Sequence, residues 1–527
     1  MTLHLSIVLF LPLAFGMLAL LAPPKLAGRI ALVGTALVLG YAITFIADFD
    51  ASADGLQYVT DDAWIRELGI SYKLGLDGLN LFLVALTGIL FFFCVLWATF
   101  ENSSRPPERP QLFYFHFLLA ETAVLGALMA QDLALFVIFF DLMLVPFFFL
   151  TGQWGEGRRV QATMKLVIYT LVGSLLMLTA AVATGVLAAS GPAELSFAFS
   201  DLAQRPLAES SQNWIFLFFA AAFLVKMPAF PLHGWMPDGY RSMPLPVLAV
   251  FSGVLSKVAA YGFLKICLPL FPDASQNFQT LLLLIALASI LYGSAMAFTT
   301  TEARLILGYS SVAQLGFITL GIFALNDQGA QGAVLQAFNH GLVVAPAFFL
   351  VALLAARAGG SQDIRDMGGI GMRAPVLAAM FLIVTFATLA MPGSSNFVGE
   401  FYILLGVFAD KMVIAIVATA GVVLASVYAL RLYITTVHNR TGPRVQSREI
   451  SLREGLVLVP LVLLVLAIAL YPQFALQRSE KTVSSALFSN ATERVENLGE
   501  ATPEIQEIPE EILPGGTPYA PLEEETP

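Results

Sequence analysis

The sequence predicts an all-α, polytopic membrane protein of about 14 transmembrane helices, built on two inverted five-helix repeats with broken helices 7 and 12. Three observations carry that prediction. Of 527 residues, 58% are hydrophobic and only 12% are charged, about half the charged share of a soluble domain, and the mean hydropathy is +0.80. The apolar residues come in runs of about twenty, the length a helix needs to cross a bilayer. Two of those runs are interrupted by Pro and Gly, at Pro228 and Pro231 and again at Pro392-Gly393. A soluble globular enzyme is excluded.

Cut at charged or Gly/Pro-rich breaks, the runs fall at 4–22, 30–47, 77–99, 111–130, 132–152, 161–188, 213–232 and 243–268. They continue at 277–298, 304–324, 328–355, 374–395, 397–437 and 454–472, with a break near Asp410. Taking 374–409 as one interrupted span and 411–437 as the next gives fourteen. The first run is read as a span, because it lacks a basic n-region and a small-residue cleavage site before Pro23-Pro24. The expected organisation is a three-helix segment at 1–110, five-helix units at 111–268 and 269–437, a last helix at 438–472, and an acidic, disordered tail at 473–527. Residues 494–527 hold nine Glu against the single cation Arg494, and cannot bury enough apolar surface to fold alone. No long amphipathic helix is expected after the fourteenth span.

Orientation follows from Lys and Arg in the short loops. Loops after odd-numbered spans hold Lys25, Arg29, Arg105, Arg109, Arg158, Arg159 and Arg241, then Arg357, Arg365, Arg373, Arg440, Arg444, Arg448 and Arg453. Loops after even-numbered spans are acidic or nearly neutral, with Asp48, Asp50, Asp54, Asp61, Asp62 and Glu67 in one of them. This asymmetry places the odd loops in the cytoplasm and both termini outside. The formal net charge of −10 lies largely in the tail and carries no nucleic-acid signal.

The two cysteines, Cys94 and Cys267, sit far apart inside apolar runs and read as small buried hydrophobes. Neither a dinucleotide fingerprint nor a P-loop is present. The Gly-rich run 367–371 reads as a loop between spans. No redox cofactor, nucleotide or metal is therefore expected in this chain.

Ionisable residues inside membrane spans are costly and usually line a bundle interior or an ion path. Here they are Asp141, Lys226, Lys257, Lys265 and Glu400, joined by Glu121, His116 and His340. Lys265 lies near a span end, where a lysine can snorkel to the interface, and His116 reads as a packing residue. The others, of mixed sign, point to a polar axis through the membrane. Proline leaves carbonyls unpaired, which is tolerated at membrane depth only beside protein or water. Two such breaks five spans apart suggest the paired repeats of a transporter. Burial favours the neutral amine of a lysine, and a nearby carboxylate favours its ammonium. A Lys226–Asp141 pair would thus have a paired, protonated state and a separated one ready to lose its proton.

At Lys226-Met-Pro-Ala-Phe-Pro-Leu-His-Gly-Trp-Met-Pro-Asp238 the sequence resembles the antiporter-like subunits of proton-pumping NADH:quinone oxidoreductase (respiratory complex I), most closely the M type, also called chain 4. The resemblance covers roughly 70–440. It extends through Phe139-Phe-Asp-Leu-Met-Leu-Val-Pro146, Gly253-Val-Leu-Ser-Lys-Val-Ala-Ala-Tyr-Gly262, the segment 304–316, Asn339-His-Gly341 and Phe397-Val-Gly-Glu-Phe401. It implies a proton path in which Asp141 matches the family's fifth-helix carboxylate, Lys226 its seventh-helix lysine and Lys257 its eighth-helix lysine. Gln314 and His340 match the polar residues that continue the axis, and Glu400 matches the terminal acid of the twelfth helix. Glu121 is an auxiliary carboxylate candidate. The resemblance further implies that NADH, FMN, iron–sulfur clusters and quinone belong to partner subunits, that L-type and N-type antiporter-like subunits are neighbours, and that the membrane is the inner (plasma) membrane of a bacterium.

Three departures stand out. The family usually has Glu at the position of Asp141 and commonly His at that of Gln314. Its loop after Pro-Asp commonly reads Ala-His and then Glu-Ala-Pro-Thr, whereas here the chain reads Gly239-Tyr-Arg-Ser-Met-Pro-Leu-Pro246. The alternatives are a subunit of a Mrp-type cation/proton antiporter, whose members share the lysine-broken helix, and a subunit of a membrane-bound hydrogenase.

Overall fold

A computed structural model of the protein describes residues 4–53, 55–100, 107–191 and 194–500. Two helices, α1 (Leu5–Leu21) and α2 (Pro24–Asp48), lead into an antiparallel hairpin of β1 (Gln57–Ile65) and β2 (Ile70–Leu76). The turn of that hairpin runs through Gly69 at φ 64°, the left-handed region that glycine reaches without strain. Helices α3 (Leu81–Thr99) and α4 (Pro110–Met129) follow, then α5 (Leu133–Leu142) and α6 (Leu144–Trp154), which together make one crossing interrupted at Met143. Pro146 explains the interruption, having no N–H to offer the carbonyl one turn back.

Next come α7 (Arg159–Ala188), the short α8 (Phe199–Ala203) and α9 (Glu209–Lys226), which breaks before α10 (Met236–Ser242). The eighth crossing, 245–270, is composite. It consists of α11 (Leu245–Val250), a π turn at Phe251–Leu255, α12 (Ser256–Gly262), a second π turn at Phe263–Cys267, and α13 (Leu268–Leu270). After α14 (Pro272–Asn277) run α15 (Gln279–Thr299), α16 (Ala303–Ile322) and α17 (Asp327–Arg357). The twelfth crossing is broken into α18 (Pro375–Thr388) and α19 (Ser395–Asp410), and α20 (Met412–Val437), α21 (Leu452–Leu470) and α22 (Gln473–Glu500) complete the described chain.

Among the described residues eleven helices are long and apolar enough to cross a membrane, the α5–α6 and 245–270 segments each taken as one. With α1 and the two broken segments the count is consistent with the fourteen the sequence predicts. The hairpin was not foreseen. The tail differs from expectation as well: residues 473–500 are helical, and up to Leu487 they belong to the same compact unit as the preceding chain. The expected disorder failed there because Phe474, Ala475, Leu476 and Val483 supply an apolar face. The rest of the predicted tail, 501–527, lies outside the described residues.

Loops after even-numbered crossings tie to one another. The Phe197 N–H donates to the Gly69 carbonyl (3.1 Å), Gln212 Nε2 to Asp273 (3.0 Å) and Asn326 Nδ2 to the Gly406 carbonyl (2.9 Å). Loops after odd-numbered crossings do the same: the Glu156 N–H reaches the Ser242 carbonyl (2.7 Å), and Arg241 pairs with Glu302 (2.8 Å). Two loop faces result, as alternating crossings require. Between them α16, α17 and the 245–270 segment are enclosed by protein on all sides, while α2, α7, α20 and α21 show apolar flanks outward. A helix that is apolar outward and packed inward suits lipid; an enclosed one can carry polar groups.

Candidate functional site

The broken α9 sets the first lysine. Pro228 has no N–H for the Leu224 carbonyl, which accepts instead from Ala229 N at 3.0 Å, and the Val225 carbonyl accepts from the Trp235 indole at 3.0 Å. The break is thus paid out in hydrogen bonds, and Lys226 becomes the last residue of the helix. Its Nζ donates to the Phe140 carbonyl at 3.0 Å and lies 4.0 Å from the centre of the Phe140 ring. That carbonyl belongs to the interrupted last turn of α5, next to Asp141.

Asp141 itself does not come within 4.0 Å of the Lys226 ammonium. It is half-buried, its Oδ1 has no hydrogen-bond partner, and the groups facing it are Ser174 of α7 and Lys226. The pair is separated, and the Phe140 carbonyl takes the Lys226 ammonium instead.

Lys257 is fully buried at the start of α12. Its Nζ donates to the Ser252 carbonyl at 2.6 Å and to Ser256 Oγ at 3.2 Å. The Ser252 carbonyl lies in the first π turn, where the hydrogen-bond ladder slips by a residue. Ser252 Oγ meets Ser311 Oγ of α16 at 3.3 Å, which joins the eighth crossing to the tenth.

Ser311 then lines a cavity of about 10 Å³ with Ser310, Gln314, His340, Thr388 and Asn396, room for one water molecule. Gln314 Nε2 donates to Glu400 Oε1 at 2.7 Å, and Gln336 Nε2 donates to Gln314 Oε1 at 2.7 Å and Glu400 Oε1 at 3.4 Å. Glu400 Oε2, His340 Nδ1 and both amide atoms of Asn396 keep free hydrogen-bonding capacity. Buried polar atoms normally find partners, so these unspent ones, His340 and Asn396 on the water-sized cavity and Glu400 beyond Gln314, suit a proton relay.

The structure therefore ties Lys257 to Ser311 through Ser252 and Gln314 to Glu400 by a hydrogen bond, and sets Ser311, Gln314 and His340 on one cavity. It places Asp141 and Lys226 side by side without joining them. Glu121 stands apart: it is fully buried in α4, and neither of its oxygens has a partner. His116 Nδ1 donates to the Leu112 carbonyl (2.7 Å) and its ring packs on Phe149, as a packing residue does. Lys265 does not snorkel. Its Nζ pairs with Asp77 at 2.7 Å, and Asp77 is 2% exposed. Among the described residues no group of three or more His, Cys, Asp or Glu side chains could hold a metal ion.

Sequence reasoning missed Ser252, Ser311, Gln336 and Asp77. Two of them carried a signal. Gln336 precedes His340 by four residues and shares its helix face, and Ser311 stands three residues before Gln314 on α16.

The family described as NADH:quinone oxidoreductase/Mrp antiporter, TM, matches residues 130–426. The NADH-quinone oxidoreductase subunit M of Rhodobacter capsulatus is 35% identical over 484 residues, covering 89% of this chain and 93% of that protein. In the solved structure of respiratory complex I from Thermus thermophilus with bound NADH, one chain superposes with a TM-score of 0.83 at 29% identity, covering 92% of this chain and 100% of that one. A chain of the Mrp complex from Dietzia superposes with a TM-score of 0.81, covering 94% of this chain and 99% of that one. Its 21% identity is a likeness of fold alone. The match over more than half the chain, and the near full-length identity to a subunit M, make this protein a member of the NADH-quinone oxidoreductase subunit M family.

Proposed function

We propose that this chain is a proton-translocating membrane subunit of an NADH:quinone oxidoreductase, and that Asp141, Lys226, Lys257, Gln314, His340 and Glu400 form its proton path. One observation carries the reading: Lys257, the Ser252 and Ser311 hydroxyls, the one-water cavity beside His340, Gln314 and Glu400 follow one another across enclosed helices. Such a series has no structural need of ionisable groups, and it costs free energy to bury them.

In the proposed cycle, Asp141 sets the charge on Lys226. Moving or neutralising the carboxylate releases a proton from Lys226 toward Lys257, on the packed neighbour α12. The proton then passes by the two serine hydroxyls and cavity water to His340 and Glu400. Gln314 cannot take up a proton. It holds Glu400 Oε1, and so leaves Oε2 as the oxygen that titrates. Segments 111–268 and 269–437 are the two inverted units of this path.

Electron transfer belongs to partner subunits, which carry NADH, FMN, iron–sulfur clusters and quinone; this chain itself carries no cofactor. L-type and N-type antiporter-like subunits are its neighbours in the inner (plasma) membrane of a bacterium, with both termini on the outer side.

The test is Lys226→Ala in the assembled complex. Asp141 then loses the cation that faces it, and both quinone reductase activity and proton pumping should fall strongly, while NADH oxidation by an artificial acceptor persists. Near-normal turnover with full pumping would refute the reading.

A further inference from the structure

The path just proposed leaves Lys265, Asp77 and Tyr261 without a role, although all three lie on the eighth crossing or against it. Lys257, Tyr261 and Lys265 follow one another at four-residue spacing, one helical turn apart each time. Tyr261 is 1% exposed, and its hydroxyl is buried without a hydrogen-bond partner. The polar groups facing that hydroxyl are Asp77, Asn80 and Gln131.

Asp77 is fixed there from several sides. Its Oδ1 accepts from Leu79 N at 3.0 Å and Asn80 N at 3.1 Å, and its Oδ2 pairs with Lys265 Nζ at 2.7 Å. Asn80 Nδ2 is already spent on the carbonyls of Gly75 (3.0 Å) and Leu128 (2.9 Å). All of these lie at the even-loop end of α3 and of the 245–270 segment. Packing does not account for the tyrosine oxygen: a phenylalanine would fill the same space and spare the burial of a hydroxyl that has polar neighbours but no well-formed hydrogen bond.

The geometry points to Tyr261 and the Asp77–Lys265 pair as a proton outlet from Lys257 to the even-loop face, separate from the branch through Ser311 to Glu400. This rests on the proton path proposed above. Lys257 Nζ reaches back to the Ser252 carbonyl in this structure, and rotation of its side chain directs it one turn onward to Tyr261. There the ammonium N–H bond breaks as Tyr261 Oη takes the proton, and the tyrosine's own O–H bond breaks as its proton passes to the Asp77 carboxylate, with Asn80 and Gln131 orienting the hydroxyl without carrying the proton. Lys257 is left neutral, and Asp77, now neutral, loosens its hold on Lys265. The proton leaves beside Lys265, whose side chain is 16% exposed. One proton moves and nothing is oxidised or reduced.

The experiment measures protons moved per NADH oxidised by the assembled complex in vesicles. Tyr261→Phe should lower that yield while complex content and NADH oxidation by an artificial acceptor stay unchanged. Asp77→Asn should lower it likewise, and Asp77→Glu should restore part of it, which a merely structural carboxylate would not do. Wild-type yield in Tyr261→Phe overturns the outlet even if Asp77→Asn fails to assemble. Lys226→Ala run in parallel separates the two claims. If it loses pumping while Tyr261→Phe does not, only the outlet falls; if it pumps normally, the proton path falls and the outlet with it.

Discussion

Asp141 shows what one methylene does at a half-buried site. The shorter side chain stops short of Lys226, which turns to the Phe140 carbonyl instead. Separation does not uncouple them, since unit charges 4 Å apart at an effective dielectric of 20 still interact by roughly 4 kcal/mol. Asp141→Glu is therefore expected to retain most proton pumping, and Asp141→Asn to lose most of it. Glu121→Gln should cost less than Asp141→Asn, because no charged group among the described residues faces Glu121 and its place off the axis gives it nothing to switch. Pumping by vesicles, normalised to assembled complex, ranks the three, and the reverse order would make Glu121 the operative carboxylate. At this scale the candidate residues were legible wherever a charge stood in an apolar run. The serines and Gln336 were not, because neutral polar residues are common in helices and only their convergence on one cavity gives them meaning.

The elements that matter here are the irregular ones. Proline announced the breaks after Lys226 and before Glu400 in the sequence, and Pro146 marks the interruption beside Asp141. The two π turns of the eighth crossing had no such marker. They depend on how that helix meets its neighbours: a Cβ on Gly341 would stand 2.5 Å from the Gly253 carbonyl and 2.5 Å from Leu86 Cδ2. Glycine at that contact lets α17 approach the π turn closely, and the turn in turn aims the Ser252 carbonyl at Lys257. Removing the Ser252 hydroxyl should separate the two tasks. In Ser252→Ala the backbone carbonyl still holds Lys257, so assembly should be unchanged, but the bridge to Ser311 is gone. Pumping per NADH oxidised is expected to fall, and Ser252→Thr, which keeps the hydroxyl, to recover it. Equal pumping in the Ala variant would show that protons bypass Ser311. The β1–β2 hairpin and α22 escaped the sequence reading for a different reason. Both lie outside the apolar runs, where hydropathy says nothing of order and only contacts such as Gly78 N to Thr482 Oγ1, at 3.0 Å, fix the chain.

For the molecule as a whole, the two loop faces differ in charge as sharply as the sequence implied. Arg158, Arg159, Arg241, Arg365, Arg373 and Arg440 collect on the odd-loop face, and Asp48, Asp61 and Asp62 lie on the even-loop one. On the odd side Arg357, 4% exposed, pairs with Glu454 at 3.2 Å and ties the end of α17 to the start of α21. Lys and Arg excess marks the cytoplasmic side, so the even face, with the outlet proposed beside Lys265, should be the outer one. Thiol labelling decides it cleanly, because the native Cys94 and Cys267 are both buried and stay silent. Gln204→Cys places an exposed thiol on the even face and Asn439→Cys one on the odd face. With a reagent that cannot cross the membrane, right-side-out vesicles should label the first and not the second, and inverted vesicles the second and not the first. The opposite pattern would invert the topology, and would require protons released at Lys265 to leave toward the cytoplasm, against the direction of pumping.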